Sequence, residues 1–237
     1  MTTTKKWFPI ESNPLILNNY LERMGFPTAA YQFQDVLSTE EWALEMVPQP
    51  VAAVIFLFPI KEQTEAYAKE EAQNQKSSGY KKPENVFYMK QTIGNACGTI
   101  AMLHAVGNIR HATAFPPNSF LQKFFTQCDG KNPQEVGTLL EQSEELETVH
   151  ESVARKGQSE QLETVNDPIN THFICFSCIE NRLYELDGRK DDAIDHGDSS
   201  PSTLLQDACK VIKQFIARDP DEVRFTILAL AHTVADE

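Results

Sequence analysis

Residues Val51 to Phe58 form an unbroken apolar run, rich in β-branched and aromatic side chains and closed at both ends by Pro50 and Pro59. A run that short, stopped by prolines, reads as a central strand. A buried strand needs cover on both faces, so the chain is expected to form a sheet between two layers of helix. The remaining sequence offers both element types. Asn13-Pro14 reads as an N-cap followed by proline at the first helical position. Leu17, Tyr20, Leu21 and Met24 then follow the helical repeat, and Gly25 closes the helix. Tyr31 to Val36 alternates like a half-buried strand. Ser38 and Glu41 have capping-box spacing before a short helix through Met46. Lys61 to Lys82 reads as a solvated polar helix, Val86 to Tyr88 as a short strand, and Gly98 to Val106 as a helix buried nearly all round.

Phe120 to Phe125 lies on another helix, and Glu135 to Arg155 is acidic and helix-prone. His172 to Ile179 and Arg182 to Asp187 read as consecutive strands. Leu204, Leu205, Ala208, Val211, Ile212 and Phe215 mark a helix, and Val223 to Ala231 a final strand. Lys156 to Asn170 breaks the pattern: it is polar, carries Gly157 and Asp167-Pro168, and has no apolar period. A stretch that long without structure is often functional, the competing reading being a tolerated surface insertion.

The formal net charge is −13. That argues against a nucleic-acid partner, whose phosphates need basic residues, and favours a basic partner if charge does more than confer solubility. The five cysteines are odd in number and lack short-period spacing, and no apolar segment approaches the ~20 residues that span a bilayer. A protein with free thiols in the cytoplasm, or also the nucleus, is expected, with no membrane association.

Gln91-Thr92-Ile93-Gly94-Asn95-Ala96-Cys97-Gly98-Thr99 carries the most chemical information. Cys97 falls at the start of the expected buried helix, where free N–H groups and the helix dipole favour a thiolate. The alternative is a buried structural cysteine. A cysteine nucleophile needs a base. His104 is seven residues on along the same helix, ~10 Å away and too far. His111, His150, His196 and His232 fall in polar or terminal stretches and read as surface histidines. His172 is better placed. If Glu180-Asn181 forms a two-residue hairpin loop, residues whose numbers sum to 361 face each other, and Asp187 becomes a diagonal neighbour of His172 at ~7–8 Å, within side-chain reach. Asp187 can then orient and stabilise the imidazole. Cys175 and Cys178 form a C-x-x-C, but their odd spacing on a strand sends them to opposite faces, so no metal site is expected; Cys128 and Cys209 also read as structural.

With these residues in place, Gln91 to Thr99 resembles the nucleophile motif of the ubiquitin carboxyl-terminal hydrolases, His172-Phe173-Ile174 their histidine strand, and Leu183 to Arg189 their aspartate motif. Trp7 to Pro14 and Arg218 to Phe225 are similar as well, so the likeness spans the chain. The resemblance implies a single catalytic domain over 1–237 of the α/β (α+β) class: a papain-like helix–sheet–helix layered fold with a knotted backbone and a central, mostly antiparallel sheet. It implies a monomeric thiol hydrolase without cofactor or metal, cleaving amide, ester or thioester bonds after the last glycine of ubiquitin. Gln91 would join the Cys97 N–H in an oxyanion hole. Residues 148–170 would include a loop crossing over the active site and limiting the leaving group. In that loop Gly157-Gln158-Ser159-Glu160 matches the family pattern, but Gln161-Leu162 replaces the usual Ala-Pro. Glu11, Asp35, Glu222 and Val223 correspond to ubiquitin-contacting positions, which gives the acidic charge a partner in ubiquitin's arginine-bearing tail. Thr171 stands where a larger apolar residue is common. The alternatives are the same chemistry on another ubiquitin-like protein, or a protein that holds ubiquitin with little turnover.

Overall fold

The computed structural model describes residues 5–77, 79–80, 82–157 and 162–233. The strand expected at Val51 is β2, Val51–Pro59, and it lies inside a six-stranded sheet. The other strands are β1 (Tyr31–Asp35), β3 (Thr171–Ile179), β4 (Arg182–Leu186), β5 (Ile194–Asp198) and β6 (Thr226–His232). Their order is β1-β6-β2-β3-β4-β5, and every pairing is antiparallel.

Alternation along β2 sends Ala53 and Ile55 to one face, and Val54, Phe56 and Phe58 to the other. The first face carries the larger core, built with α1 (Pro14–Met24), α4 (Cys97–Gly107), α5 (Phe120–Cys128), α6 (Pro133–Glu141) and α7 (Glu144–Ala154). The second face is covered by α8 (Leu204–Ala217) and the short α2 (Glu41–Leu44). This is the layered arrangement expected from a doubly buried strand. Helix α3 (Glu62–Ser77) buries only Thr64. It is tied down by polar contacts: Lys190 to Glu71 at 2.9 Å, Arg189 to Glu65 at 2.9 Å, and Gln75 to the Ala193 carbonyl at 2.7 Å.

Helix α1 begins and ends as its sequence indicates. The Asn13 side chain accepts from Leu15 N, and Gly25 closes the helix at φ +90°, where an added Cβ would meet Ser119 Cβ at 2.3 Å. Other expectations are corrected. Val86 to Tyr88 is not a strand, because side chains take its backbone bonds: Phe87 N donates to Asn108 Oδ1 at 2.8 Å and Met89 N to His104 Nε2 at 3.1 Å. Ser38 forms no capping box; its hydroxyl accepts from Glu40 N at 3.2 Å, one residue short of the helix start at Glu41. The acidic 135–155 stretch is split into α6 and α7 by Ser143, whose hydroxyl accepts from Leu146 N. The last strand starts at Thr226, not Val223. Residues 148–154 complete α7, so the connection toward β3 begins after Ala154.

His150 is the largest correction. It is fully buried, because Leu146, His150 and Val153 share the inward face of α7. Its Nε2 donates to the Phe8 carbonyl at 2.7 Å, leaving Nδ1 to accept from Thr99 Oγ1 at 3.1 Å, with the Tyr20 hydroxyl 3.3 Å from that oxygen. The ring also packs against Trp7, tilted by 36° with centroids 4.3 Å apart. His104 is equally buried, with Tyr88 stacked on it at 5.2 Å. Burial drives both imidazoles down to about 4 from an ordinary 6.5. Both folded values lie below the unfolded one, so their stabilisation is complete above about 6.5 and is lost as pH falls toward 4. Between pH 7 and pH 5 urea denaturation should show a loss on the order of 3 kcal/mol, with unfolding taking up nearly two protons. A flat stability curve across that interval would contradict the neutral assignment of both rings.

Candidate active site

The β3–β4 hairpin builds the site. Glu180 and Asn181 occupy the turn at φ +51° and +59°, the two left-handed positions of a type I′ loop. The ladder runs Ile179 to Arg182, Ser177 to Tyr184 and Cys175 to Leu186, each pair summing to 361 as the two-residue loop requires. This register delivers Asp187, just beyond β4, to His172 near the start of β3. His172 Nε2 donates to Asp187 Oδ1 at 2.7 Å, and the same oxygen accepts from Arg189 N at 2.9 Å. The Tyr88 hydroxyl reaches the Asp187 carbonyl at 2.5 Å and the Lys190 carbonyl at 2.7 Å, pinning the turn that follows.

Cys97 is the first residue of α4, so its own N–H and those of Gly98 and Thr99 have no partner within the helix. The turn before it is paired to the N-terminal segment: Trp7 N donates to the Gly94 carbonyl at 2.9 Å, and Gly94 N to the Lys5 carbonyl at 2.8 Å. The Cys97 side chain hydrogen-bonds to His172 and accepts from the N–H groups of Phe173 and Gly98. Gly98 packs on β3 without crowding: a Cβ there would stand 3.4 Å from the Phe173 ring, an ordinary contact distance. Gln91 completes the group. Its backbone N donates to the Gly188 carbonyl at 2.8 Å, and its Nε2 to the Ile93 carbonyl at 3.0 Å, while its Oε1 is buried without a partner among the described residues.

Burial raises the Cys97 thiol, but contact with His172 and the two N–H groups outweighs it and lowers the net value. Burial disfavours the His172 imidazolium, yet Asp187 and Cys97 together lift it to about 10. Asp187, itself opposed by burial, is held down to about 2 by His172. The Cys97 and His172 shifts both act toward a thiolate facing an imidazolium, which is the nucleophilic form of the sulfur.

A cleft of about 690 Å³ opens over the sulfur. One wall is the segment Phe8 to Ser12; another is formed by Arg155, Gly157, Leu162 and Pro168 to Asn170; Gln91, Cys97, His172 and Arg189 face it. The structure therefore brings Gln91, Cys97, His172, Asp187 and Glu11 together. Asp35 and Val223 lie outside the lining: Asp35 is exposed at the end of β1, and Val223 is 85% exposed beyond α8. Glu222 also lies outside it and is buried. Its carboxylate accepts from Val223 N and Arg224 N at 3.0 and 2.8 Å, pairs with the Arg224 guanidinium at 2.7 Å, and meets Lys61 at 3.0 Å. Those bonds hold it far below the usual carboxylate range. Gln158 to Gln161, including the departure at Gln161, lie outside the described residues.

Glu71, Glu185 and His196 cluster at a spacing that could suit a metal ion, but Lys190 already places its ammonium 2.9 Å from Glu71 and 2.6 Å from Glu185. His196 sits 2.9 Å from the same Glu185, half-buried rather than on the surface as its sequence context implied. The missed signal is Glu185 itself: a carboxylate at an inward strand position needs a cationic partner. Cys175 and Cys178 do fall on opposite faces of β3.

A sulfur in contact with an imidazole, itself bonded to a carboxylate at the floor of a cleft, is the arrangement of the cysteine-type hydrolases. Comparison with known proteins narrows this. Residues 7–217 match the model of "Ubiquitin carboxyl-terminal hydrolase, family 1". The chain is 41% identical over 230 residues to ubiquitin carboxyl-terminal hydrolase 3 of Arabidopsis thaliana, covering 97% of this chain and 96% of that protein. It is 40% identical over 222 residues to the human isozyme L1, covering 94% and 96%. The catalytic domain of Trichinella spiralis UCH37, solved bound to ubiquitin vinyl methyl ester, shares the fold at a TM-score of 0.73 and 22% identity, over 98% of this chain and 99% of that one. The chain belongs to the ubiquitin carboxyl-terminal hydrolase family.

The geometry yields a pH test. Alkylation of Cys97 by iodoacetamide should stay fast below the ordinary thiol value of 9.0. In Asp187→Asn the imidazolium loses its main support and the thiolate its counter-ion, so the acid limb of the alkylation profile should move up toward 9.0. Superimposable alkylation profiles for the two proteins would show that Asp187 does not support the charge on His172.

Proposed function

We propose that this chain is a deubiquitinating thiol hydrolase, cleaving amide, ester or thioester bonds after the C-terminal glycine of ubiquitin and releasing small adducts or precursor extensions. The observation that carries the reading is the hydrogen-bonded series Cys97–His172–Asp187 at the cleft, in a chain of this family. In this reading the Cys97 thiolate attacks the carbonyl carbon of the last glycine. The oxyanion that forms is met by the free Cys97 N–H and by the Gln91 amide, whose Nε2 bond to Ile93 uses one of its two hydrogens. His172 gives its proton to the departing nitrogen, oxygen or sulfur, which leaves an acyl thioester. It then takes a proton from the water that hydrolyses that thioester. Asp187 holds the ring so that Nε2 is committed and Nδ1 is left for the sulfur.

The family relation and the net charge of −13 support ubiquitin as the partner, its basic tail entering an acidic field. Glu11 on the cleft wall and Asp35 and the exposed Val223 beyond it act as docking positions. Glu222 contributes by holding the turn that displays Val223, since its carboxylate is already committed to Arg224 and Lys61. The reading extends to a single catalytic domain over 1–237, acting as a monomer in the cytoplasm or nucleus; among the described residues no helix is long and apolar enough to cross a membrane.

Cys97→Ala should lower turnover of a ubiquitin–fluorophore adduct by at least about 10⁴-fold while ubiquitin binding by calorimetry persists. Gln91→Ala should lower kcat by about 10²–10³-fold. Turnover by Cys97→Ala equal to that of the parent would end the proposal.

A further inference from the structure

Asn95 has no part in the chemistry above, yet both hydrogens of its amide are engaged. It stands two residues before Cys97, with its backbone left-handed at φ +62°, a conformation asparagine tolerates better than most side chains. Nδ2 carries two hydrogens, and both are used. One goes to the Trp7 carbonyl at 3.1 Å, the other to the Val165 carbonyl at 3.0 Å. A single side chain thus joins the turn before the sulfur to the N-terminal wall of the cleft and to the segment 162–170 that forms another wall.

That segment is built to be hung from one point. Thr164 N donates to Asp167 Oδ2 at 2.9 Å, Thr164 Oγ1 to Asp167 Oδ1 at 3.0 Å, and Asn166 N to Thr164 Oγ1 at 3.2 Å, which makes 164–167 a closed turn with the Val165 carbonyl at its tip. Its downstream end is fixed where Ile60 N donates to the Asn170 carbonyl at 2.5 Å. A second side-chain tie to the turn, Lys6 Nζ to Asn166 Oδ1 at 3.2 Å, is solvent-exposed and therefore weaker. Asn95 is the partly buried tie, and it originates from the same turn that sets the sulfur.

We propose that Asn95 is a positioning residue for the segment 162–170. Its amide fixes that segment at a set height above Cys97, and so determines how bulky a leaving group the site releases. The inference rests on the hydrolase reading above and adds a specificity determinant to it.

Two variants separate the side chain from the backbone. Asn95→Gly keeps the left-handed φ without strain and removes both donors. Asn95→Asp keeps shape and φ but turns an acceptor-only carboxylate toward two carbonyls. The full chain and both variants are assayed on ubiquitin joined to a fluorophore and on ubiquitin fused through its last glycine to a folded domain. Without substrate, cutting within 162–170 is followed by limited proteolysis. The ratio of kcat/KM for the fusion to that for the small adduct should rise about tenfold in both variants, the factor carried by ~1.4 kcal/mol, about one net hydrogen bond. Cutting within 162–170 should accelerate by a similar factor. General loosening of the fold would lower both kcat/KM values without raising their ratio. A ratio at the parent's value together with parent-like proteolysis would overturn the proposal. If the parent cleaves neither substrate, the hydrolase reading fails, and the proteolysis comparison still decides whether Asn95 holds the segment. Should the glycine variant fail to fold, the isosteric aspartate variant carries the test.

Discussion

The geometry of the cleft is governed by a register. Two left-handed residues, Glu180 and Asn181, let β3 reverse into β4 with no spare residue, and from that point every facing pair is determined. One residue more or less in the loop would shift the pairing and move Asp187 away from His172. The 2.7 Å bond between them, the commitment of Nε2, and the charge that follows on the sulfur are all downstream of that turn. The register is in turn protected by packing. β3 lies against β2 across six pairs from Val54–Phe176 to Pro59–Thr171, and both faces are buried, so a one-residue slip would drive each phenylalanine and isoleucine into the packing of the opposite core.

The cysteine is presented by a different logic. It belongs to a helix start, and helix starts are held by what precedes them. Here the preceding turn is paired to Lys5 and Trp7, while the N-terminal segment that does this is held by His150 through the Phe8 carbonyl and through contact with the Trp7 ring. Thr99, two residues past the sulfur, bonds to the same histidine. A buried polar knot therefore links α1, α4, α7 and the cleft wall, and each of its members is satisfied by another. Such a network is costly to disturb in a low-dielectric interior, which suits a site whose reacting atoms come from distant parts of the chain.

The elements legible in the sequence are those whose cause is local. The Asn13–Gly25 helix, the proline-bounded β2 and the two-residue hairpin carry their signals in adjacent residues. Cys97, His172 and Asp187 were legible because a helix start, a strand and a turn length combine into a distance. What escaped depends on tertiary partners. His150 reads as a polar residue in an acidic helix, and only the arrival of Phe8 and Thr99 makes it internal. β5, with Asp195, Gly197 and Asp198, has no apolar alternation; it exists because β4 offers it an edge. Val86 to Tyr88 has strand composition, yet Asn108 and His104 supply from α4 and its end the bonds a neighbouring strand would have made. Glu222 matched a docking position by motif, while its chemistry is spent on Arg224 and Lys61.

The sheet order has a mechanical corollary. β6 follows every other described strand along the chain, yet it lies between β1 and β2 and is bonded to both. During synthesis those two strands wait on either side of an empty slot, so the sheet is completed only after residues 226–232 emerge. Resistance to unravelling is directional for the same reason. A motor tugging from the amino end peels α1 and the outermost ribbon first, whereas one tugging downstream of β6 must shear two ladders at once from the middle of the sheet. Extraction from that side is the harder direction.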